Sequence, residues 1–205
     1  MRRYSQNLEQ DVVLDYFGIT QGTFLDIGSN DGETLSNTRA LSILGWSGVC
    51  AEPDPAAFRM LLELYGGSSE VFCYPFAIGT KTGKAKFFSS GTHLGNGDTG
   101  LLSTLKESES ERWTVEKFEE TEVDVLTWKH FYELVPFRTF EFVNIDAEGV
   151  DVEILEQMDL EEMGVQLICI EFNSVLERRE RIERHIGEGW RVEYVNAENL
   201  IYAKA

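Results

Sequence analysis

Positive charge is scarce in this sequence: 18 Lys and Arg stand against 36 Asp and Glu, a formal net charge of −18. A groove that holds nucleic-acid phosphates needs clustered Lys and Arg, so this balance speaks against a nucleic-acid partner. The one dense Arg group is "ERRERIERH", in which Glu177/Arg181 and Glu180/Arg184 fall at i,i+4. That spacing predicts an exposed, salt-bridged helix face. Cysteine is also scarce. Cys50, Cys73 and Cys169 each lie in an apolar run without CxxC or metal-ligand spacing, which predicts buried free thiols in a reducing compartment. No apolar run approaches the roughly 20 residues that span a bilayer, and "MRRYSQNLEQ" lacks the apolar region of a signal peptide. The expectation is a soluble, cytoplasmic protein with no membrane partner. Nothing in the sequence specifies an oligomeric state.

What is present points to a folded α/β protein. Hydrophobic residues make up 42% and aromatics 12%, which excludes disorder. A chain of 205 residues fits one domain, 1–205, that buries roughly 70% of its unfolded surface. Apolar runs alternate with helical patterns. "TFLDIG" predicts a strand, followed by a helix around Glu33–Leu44, and "SGVCAEP" predicts the second strand. "DPAAFRMLLELY" then opens with Asp54 as N-cap and Pro55 at the first helical position. Its Phe58, Leu61, Leu62 and Tyr65 form one buried stripe. "VFCYPFAIG" predicts a third strand and "KAKFFSS" an added one. "FEFVNID" and "QLICIEF" predict two more, flanking a helix that carries Ile154, Leu155 and Met158. The tail "WRVEYVNAENLIYAKA" alternates on both sides of "NAEN" and predicts a terminal antiparallel hairpin. The whole describes a mostly parallel sheet covered by helices on both faces. Residues 91–122 are rich in Gly, Ser and acids and predict a long surface loop, either a substrate lid or a segment without a role.

The most informative stretch is "TFLDIGSNDGETLSNT", in which a strand runs into a glycine turn. Open α/β sheets bind ligands at such places, where backbone N–H groups are exposed and glycine admits close approach. The spacing is Gly28-x-x-x-Gly32, so the GxGxxG fingerprint is absent, and no GK[ST] follows. Asp26 precedes the turn and Asp31 sits within it. Acids there suit a ligand with a cationic centre and an amino group better than one with several phosphates. Glu52 ends the second strand, followed by Pro53, and an acid in that position is placed to accept from both hydroxyls of a ribose. An adenosine ribose, a cationic centre and no phosphate describe S-adenosylmethionine.

At this point the chain resembles the FkbM-type S-adenosylmethionine-dependent methyltransferases. The resemblance runs from "YSQNLEQDVVLDYF" through "FLDIGSNDGETLSNTRAL", "LGWSGVCAEPDP" and "FAIG" to "FVNIDAEGVDVEIL" and "ICIEFN". It implies a class I, Rossmann-like methyltransferase fold and methyl transfer, usually to oxygen on a sugar, polyketide or similar small molecule. Carried over by position, Asp26, Gly28, Ser29, Asn30 and Gly32 line the methionine part of the cofactor, and Glu52 with Pro53 holds the ribose. Ala77 and Ile78 flank the adenine. Asp146 lies at the reaction centre with Glu148 behind it. By strand order alone, Glu171 falls with them near the carboxyl ends of adjacent central strands. Ala147 stands where the family often has Val, and Gln6 of "YSQ" matches the pattern without a role.

Methyl transfer is an in-line displacement, so the protein must align an acceptor oxygen with the donor carbon, which contributes roughly 7–11 kcal/mol. A carboxylate that removes the hydroxyl proton adds about 10²–10⁴-fold, and Asp146 is the candidate. Asp146, Glu148 and Glu171 form an alternative Mg²⁺ set, although spacing specifies no metal site. Glu148 reads equally as the first-turn acid of the following helix. His130 and His185 read as surface or packing residues, and His93 as a base within the lid. Competing readings are a nucleic-acid amino methylase, a dinucleotide oxidoreductase, and a cofactor-binding module without catalysis. "NIDAEG" lacks the proline and aromatic residue of the first, and the missing GxGxxG disfavours the second.

Overall fold

The computed structural model describes residues 2–90, 101–112 and 118–205. His93, residues 91–100 and residues 113–117 of the expected lid lie outside them. In chain order the elements begin with α1 (Glu9–Phe17), β1 (Thr23–Ile27), α2 (Arg39–Ile43), β2 (Ser47–Ala51) and α3 (Pro55–Tyr65). Next come β3 (Val71–Tyr74), β4 (Ala77–Ile78), β5 (Gly83–Ser90), α4 (Glu107–Arg112), β6 (Phe118–Leu126) and α5 (Trp128–Leu134). The chain closes with β7 (Phe142–Ile145), α6 (Asp151–Leu155), β8 (Leu167–Glu171), α7 (Leu176–Ile186), β9 (Trp190–Val195) and β10 (Asn199–Lys204).

Seven strands form one sheet in the order β3-β2-β1-β7-β8-β10-β9, parallel from β3 to β8. The hairpin β9–β10 closes it antiparallel, β10 pairing with β8. β4, β6 and β5 make a separate three-stranded sheet. The central strands are buried on both faces because their residues alternate between two apolar layers. Leu25, Ile27, Val143, Ile145, Ile168 and Ile170 pack with Phe131 of α5, Ile154 of α6 and Ile182 of α7. Phe24, Cys50, Phe142 and Cys169 pack on the opposite face with Val13 of α1, Leu41 of α2 and Leu61 of α3. Each such fully buried apolar side chain stabilises by about 1.5–3 kcal/mol. β1 is flanked by β2 on one side and β7 on the other. The chain reverses its direction of winding there, and a crevice opens at the carboxyl ends of the strands. No helix among the described residues is long and apolar enough to cross a membrane.

Several sequence expectations are corrected. The helix expected over Glu33–Leu44 begins only at Arg39. The preceding residues are held otherwise: Leu35 has a positive φ of 54° and bridges to Ser5. The Ser36 hydroxyl accepts from the N–H groups of Thr38 and Arg39 at 3.3 and 3.0 Å, which serves the helix start that a longer helix would have placed earlier. Asp54 does cap α3, accepting from the N–H groups of Ala56 and Ala57 at 2.8 and 3.1 Å. Leu62 is nevertheless exposed while Ala57 is buried. "VFCYPFAIG" is two strands, because Pro75 and Phe76 separate β3 from β4 and the second joins the small sheet. Residues 118–122, expected in a loop, begin β6, and residues 107–112 form α4. Arg181 does not meet Glu177; it reaches across to Glu156 and Glu153 near α6, while the i,i+4 pair on α7 is Arg179 with Glu183. All three cysteines are free, with Cys73 only half-buried.

Candidate active site

The crevice is walled by the turns that leave β1, β2, β7 and β8. β1 ends in Ile27, and Gly28 then takes φ +81°. Its N–H and that of Ser29 donate to the carbonyl of Ala51 at 3.0 and 3.2 Å, which turns the chain towards β2. A Cβ on Gly28 would lie 1.7 Å from the backbone oxygen of Asp146, so only glycine lets the two turns touch. Asn30 has φ +48° and donates its N–H to Glu52 at 2.8 Å, while Asp54 donates its N–H to the other Glu52 oxygen at 2.7 Å. Glu52 is thus fixed at the lip of β2 with lone pairs left over on both oxygens.

Asp26, Gly28, Ser29, Asn30, Glu52, Pro53, Ala77 and Ile78 all line one cleft, together with Asp146, Glu148 and Glu171. Gly32 does not. It packs against Leu61, Leu64 and Tyr65 with φ +78° and serves the turn itself. Asp31, counted among the acids that would face a cation, instead folds back on its own turn. It accepts from the N–H groups of Glu33 and Thr34 and from the Thr34 hydroxyl, at 2.6–2.8 Å. Asp26 faces the cleft, yet its two oxygens are engaged by the Thr38 hydroxyl at 2.6 Å and the Asn144 amide at 2.8 Å. Asn144 in turn accepts from Asn37 at 3.0 Å. Ser36, Asn37, Thr38 and Asn144 therefore belong to the floor of the site, and the sequence reading passed over them. Their signal was a run of small polar residues, "SNT", where a helix was expected.

The far end of the cleft is acidic. Asp146 follows β7, Glu148 lies two residues on with φ +49°, and Glu171 ends β8. One carboxylate oxygen of each lies within 4.8 Å of the others. Burial raises Asp146 to about 7, with the charges of Asp151, Asp26 and Glu9 adding to it. Burial also pushes Glu171 well above the carboxylate range, reinforced by Glu148, Asp146 and Asp151. Asn173 is close enough to lower it slightly without making a hydrogen bond of ordinary geometry. Asp151 turns away from the cleft and accepts from the N–H groups of Ala147 and Gly149 at 2.6 and 2.9 Å, pinning the turn. Among the described residues, three buried acceptors on the cleft wall have no hydrogen-bond partner: Asn30 Oδ1, Glu171 Oε2 and Asn199 Oδ1. An unsatisfied buried polar group costs about 1–3 kcal/mol, so each is placed to receive something from a ligand.

Two further segments complete the cleft. Leu101, Leu102, Ser103 and Leu105, from the stretch expected as a lid, line it directly. They are strapped to the acidic turn: the Thr104 hydroxyl donates to the Glu148 carbonyl at 2.7 Å and Lys106 donates to that of Gly149. Glu109 of α4 covers Gly149 and pairs with Arg178 of α7. Gln6, Glu198 and Asn199 close the end beyond Glu171. Buried Glu9 gathers them, accepting from the N–H of Asn7 at 2.9 Å and the amides of Asn196 and Asn199 at 2.6 and 3.1 Å. His130 bonds Thr82 and Thr127, and His185 bonds the Met158 carbonyl. Neither lines the cleft.

Glu52 gives the site a pH signature. Burial raises its carboxyl from 4.5 to about 8. The N–H groups of Asp54 and Asn30 oppose that shift, while the charges of Asp54 and Asp26 add to it. A carboxyl raised on folding binds more protons in the native state across that window, so stability is lost as pH rises through it. The ligand-free protein is expected to melt several degrees lower at about pH 8 than at about pH 5.5, with Asp146 acting in the same direction. A melting temperature that rises over that range would mean that Glu52 is already ionised in the folded protein at the lower pH.

An α/β fold with a parallel sheet, a closing antiparallel hairpin and a cleft at the carboxyl ends of β1 and β2 is the class I methyltransferase fold. Residues 26–193 match the model of the methyltransferase FkbM domain, and the chain belongs to that family. Among solved structures it is similar to the methyltransferase FkbM of Methylobacillus flagellatus KT, with a TM-score of 0.56 at 12% identity over 88% of this chain. That match covers 43% of the other chain, so this protein spans less than half the length of that relative. A protein of Pyrococcus horikoshii assigned as an RNA methyltransferase gives a TM-score of 0.51 at 13% identity, covering 96% of this chain and 81% of that one. A Staphylococcus aureus protein assigned as a caffeoyl-CoA O-methyltransferase gives 0.50 at 8% identity, covering 99% and 86%. At such identities the likeness is one of fold. No curated protein matches the sequence. Family and fold imply the use of S-adenosylmethionine.

Proposed function

We propose that this domain is an S-adenosylmethionine-dependent O-methyltransferase acting on a hydroxyl of a small molecule or carbohydrate. The observation that carries the reading is the polarity of one continuous cleft. Asn30 and Glu52 stand on its wall just after β1 and β2, and three carboxyl groups cluster on it after β7 and at the end of β8. The residues fit the cofactor: Asn30 Oδ1 is a buried acceptor in want of a donor, as an amino or hydroxyl group would supply. Glu52 has lone pairs for a ribose diol, and Ala77 and Ile78 offer apolar contact for a base. When bound, the cofactor supplies a methyl carbon activated by its sulfonium.

The chain's own residues do the rest. Leu101, Leu102 and Leu105 shield the cleft from water, which strengthens every polar contact inside it. The turn after β7 orients the acceptor, and Asp146, with its carboxyl raised towards neutrality, takes the hydroxyl proton as the new bond forms. The net charge of −18 repels phosphate backbones, and it sets a small neutral or cationic acceptor above a nucleic acid.

Calorimetric titration tests the cofactor end. S-adenosylmethionine and S-adenosylhomocysteine are expected to bind the wild-type chain and NADH to fail. Glu52→Ala should weaken the nucleoside by about 10–100-fold, since it removes two hydrogen bonds to the ribose, each worth about 0.5–1.5 kcal/mol. Tight NADH binding, or a Glu52 variant with unchanged affinity, would overturn this assignment.

A further inference from the structure

The acidic end of the cleft holds more oxygen ligands than proton transfer requires. Asp146, Glu148 and Glu171 bring one carboxylate oxygen each to within 4.8 Å of one another. An independent feature points the same way. Asn199 is 5% exposed, lines the same cleft, and its Oδ1 has no hydrogen-bond partner. Its orientation is fixed, because the amide nitrogen donates to Glu9 at 3.1 Å and the reverse flip would set oxygen against carboxylate. Asn199 lies directly opposite Glu171 in the β10–β8 register, so their side chains share one face of the sheet. Glu171 Oε2 is the second buried oxygen there without a partner. Neither Asp146 nor Glu171 makes a salt bridge with a described residue. Among the described residues, Lys106 pairs with Glu153, and Arg178 pairs with Glu109 through one of its two terminal nitrogens. A set made only of oxygens, with no nitrogen or sulfur, suits a hard divalent cation.

We propose that Asp146, Glu148, Glu171 and the amide oxygen of Asn199 form a binding site for a divalent cation of the Mg²⁺ or Mn²⁺ kind, Asp146 offering one carboxylate oxygen and keeping the other for the acceptor's proton. Mg²⁺ takes octahedral geometry, so four protein oxygens leave two positions, which one acceptor can bridge when they are adjacent. Two neighbouring oxygens of an acceptor fill them, which narrows the acceptor to a vicinal diol or a hydroxy acid. This narrowing rests on the methyltransferase reading; the cation site itself does not.

Titration of the intact chain with Mn²⁺, followed by loss of the free-ion paramagnetic signal, tests the site without cofactor or acceptor. One saturable site per chain is expected, competed by Mg²⁺. Glu171→Gln keeps the side chain's shape and is expected to weaken Mn²⁺ by about 10–100-fold, and Asn199→Ala by about tenfold. Asn199→Asp adds a charged ligand and is expected to tighten binding, an outcome that misfolding would not produce. Absence of a saturable site in the wild type would overturn the proposal, as would a site whose affinity none of the three variants moves. S-adenosylmethionine binding is measured on the same sample. Cofactor binding without Mn²⁺ sinks the cation site alone, and Mn²⁺ binding without cofactor sinks the methyltransferase reading alone.

Discussion

Gly28→Ala is expected to be among the most damaging single substitutions in this chain, lowering stability by about 3–5 kcal/mol. Two costs combine. An L side chain at φ +81° carries about 1–2 kcal/mol of backbone strain, and forced overpacking typically adds about 1–3 kcal/mol. The upper end of each range applies because the new methyl group would meet a main-chain oxygen 1.7 Å away. The main chain just after β7 cannot swing aside as the end of a flexible side chain can. For a domain of this size about 1 kcal/mol shifts the melting temperature by roughly 2–4 °C, so a drop of about 6–20 °C is expected. Gly67→Ala is the control, since nothing lies within 4 Å of its position, and it should change little. A Gly28 variant that melts with the wild type would mean the turns after β1 and β7 are not in contact.

Removing the Asp146 carboxylate should strike catalysis rather than the fold. Asp146→Ala is expected to lower turnover by about 10²–10⁴-fold, the usual contribution of a positioned base, with S-adenosylmethionine affinity changed by no more than a few-fold. The Asp146 carboxyl clusters with those of Glu148 and Glu171, and it is not among the groups that hold Glu52, which accepts from the N–H groups of Asn30 and Asp54. The measurement is a methyl-transfer assay with labelled cofactor, paired with calorimetry on the same variant. Turnover at the wild-type rate would remove Asp146 from the reaction. Loss of turnover together with cofactor affinity would move it to the binding contacts instead.

Much of this architecture could be read from the residues alone. The apolar runs of β1, β2, β7 and β8 are continuous because both faces of those strands are covered, and so they announced a parallel sheet. Asp54 and Pro55 marked the start of α3 because capping chemistry is local. The errors came where distant partners decide. Leu35 and Ser36 have no local reason to break a helix; a bridge to Ser5 and the filled floor beneath Asp26 do it. Leu101 to Arg112 reads as a polar loop because its anchors, Glu148, Gly149 and Arg178, lie far along the chain. Asp31 shows the converse. Its type suggested a ligand contact, but a short side chain two residues from free backbone N–H groups satisfies those first. Asn199 could not be found by pattern at all, because its meaning depends on the strand it faces.

The gathering of Asn7, Asn196 and Asn199 around Glu9 has an evolutionary reading. The proposed nucleoside pocket is written almost wholly between positions 26 and 78, whereas residues near 6 and near 198 line another part of the cleft. The stretch near 198 can change without disturbing the donor-binding half, whereas the one near 6 is tied to that half through the bridge between Ser5 and Leu35. New acceptors would then arise by rewriting the turn between β9 and β10 while the crevice between β1 and β2 is kept.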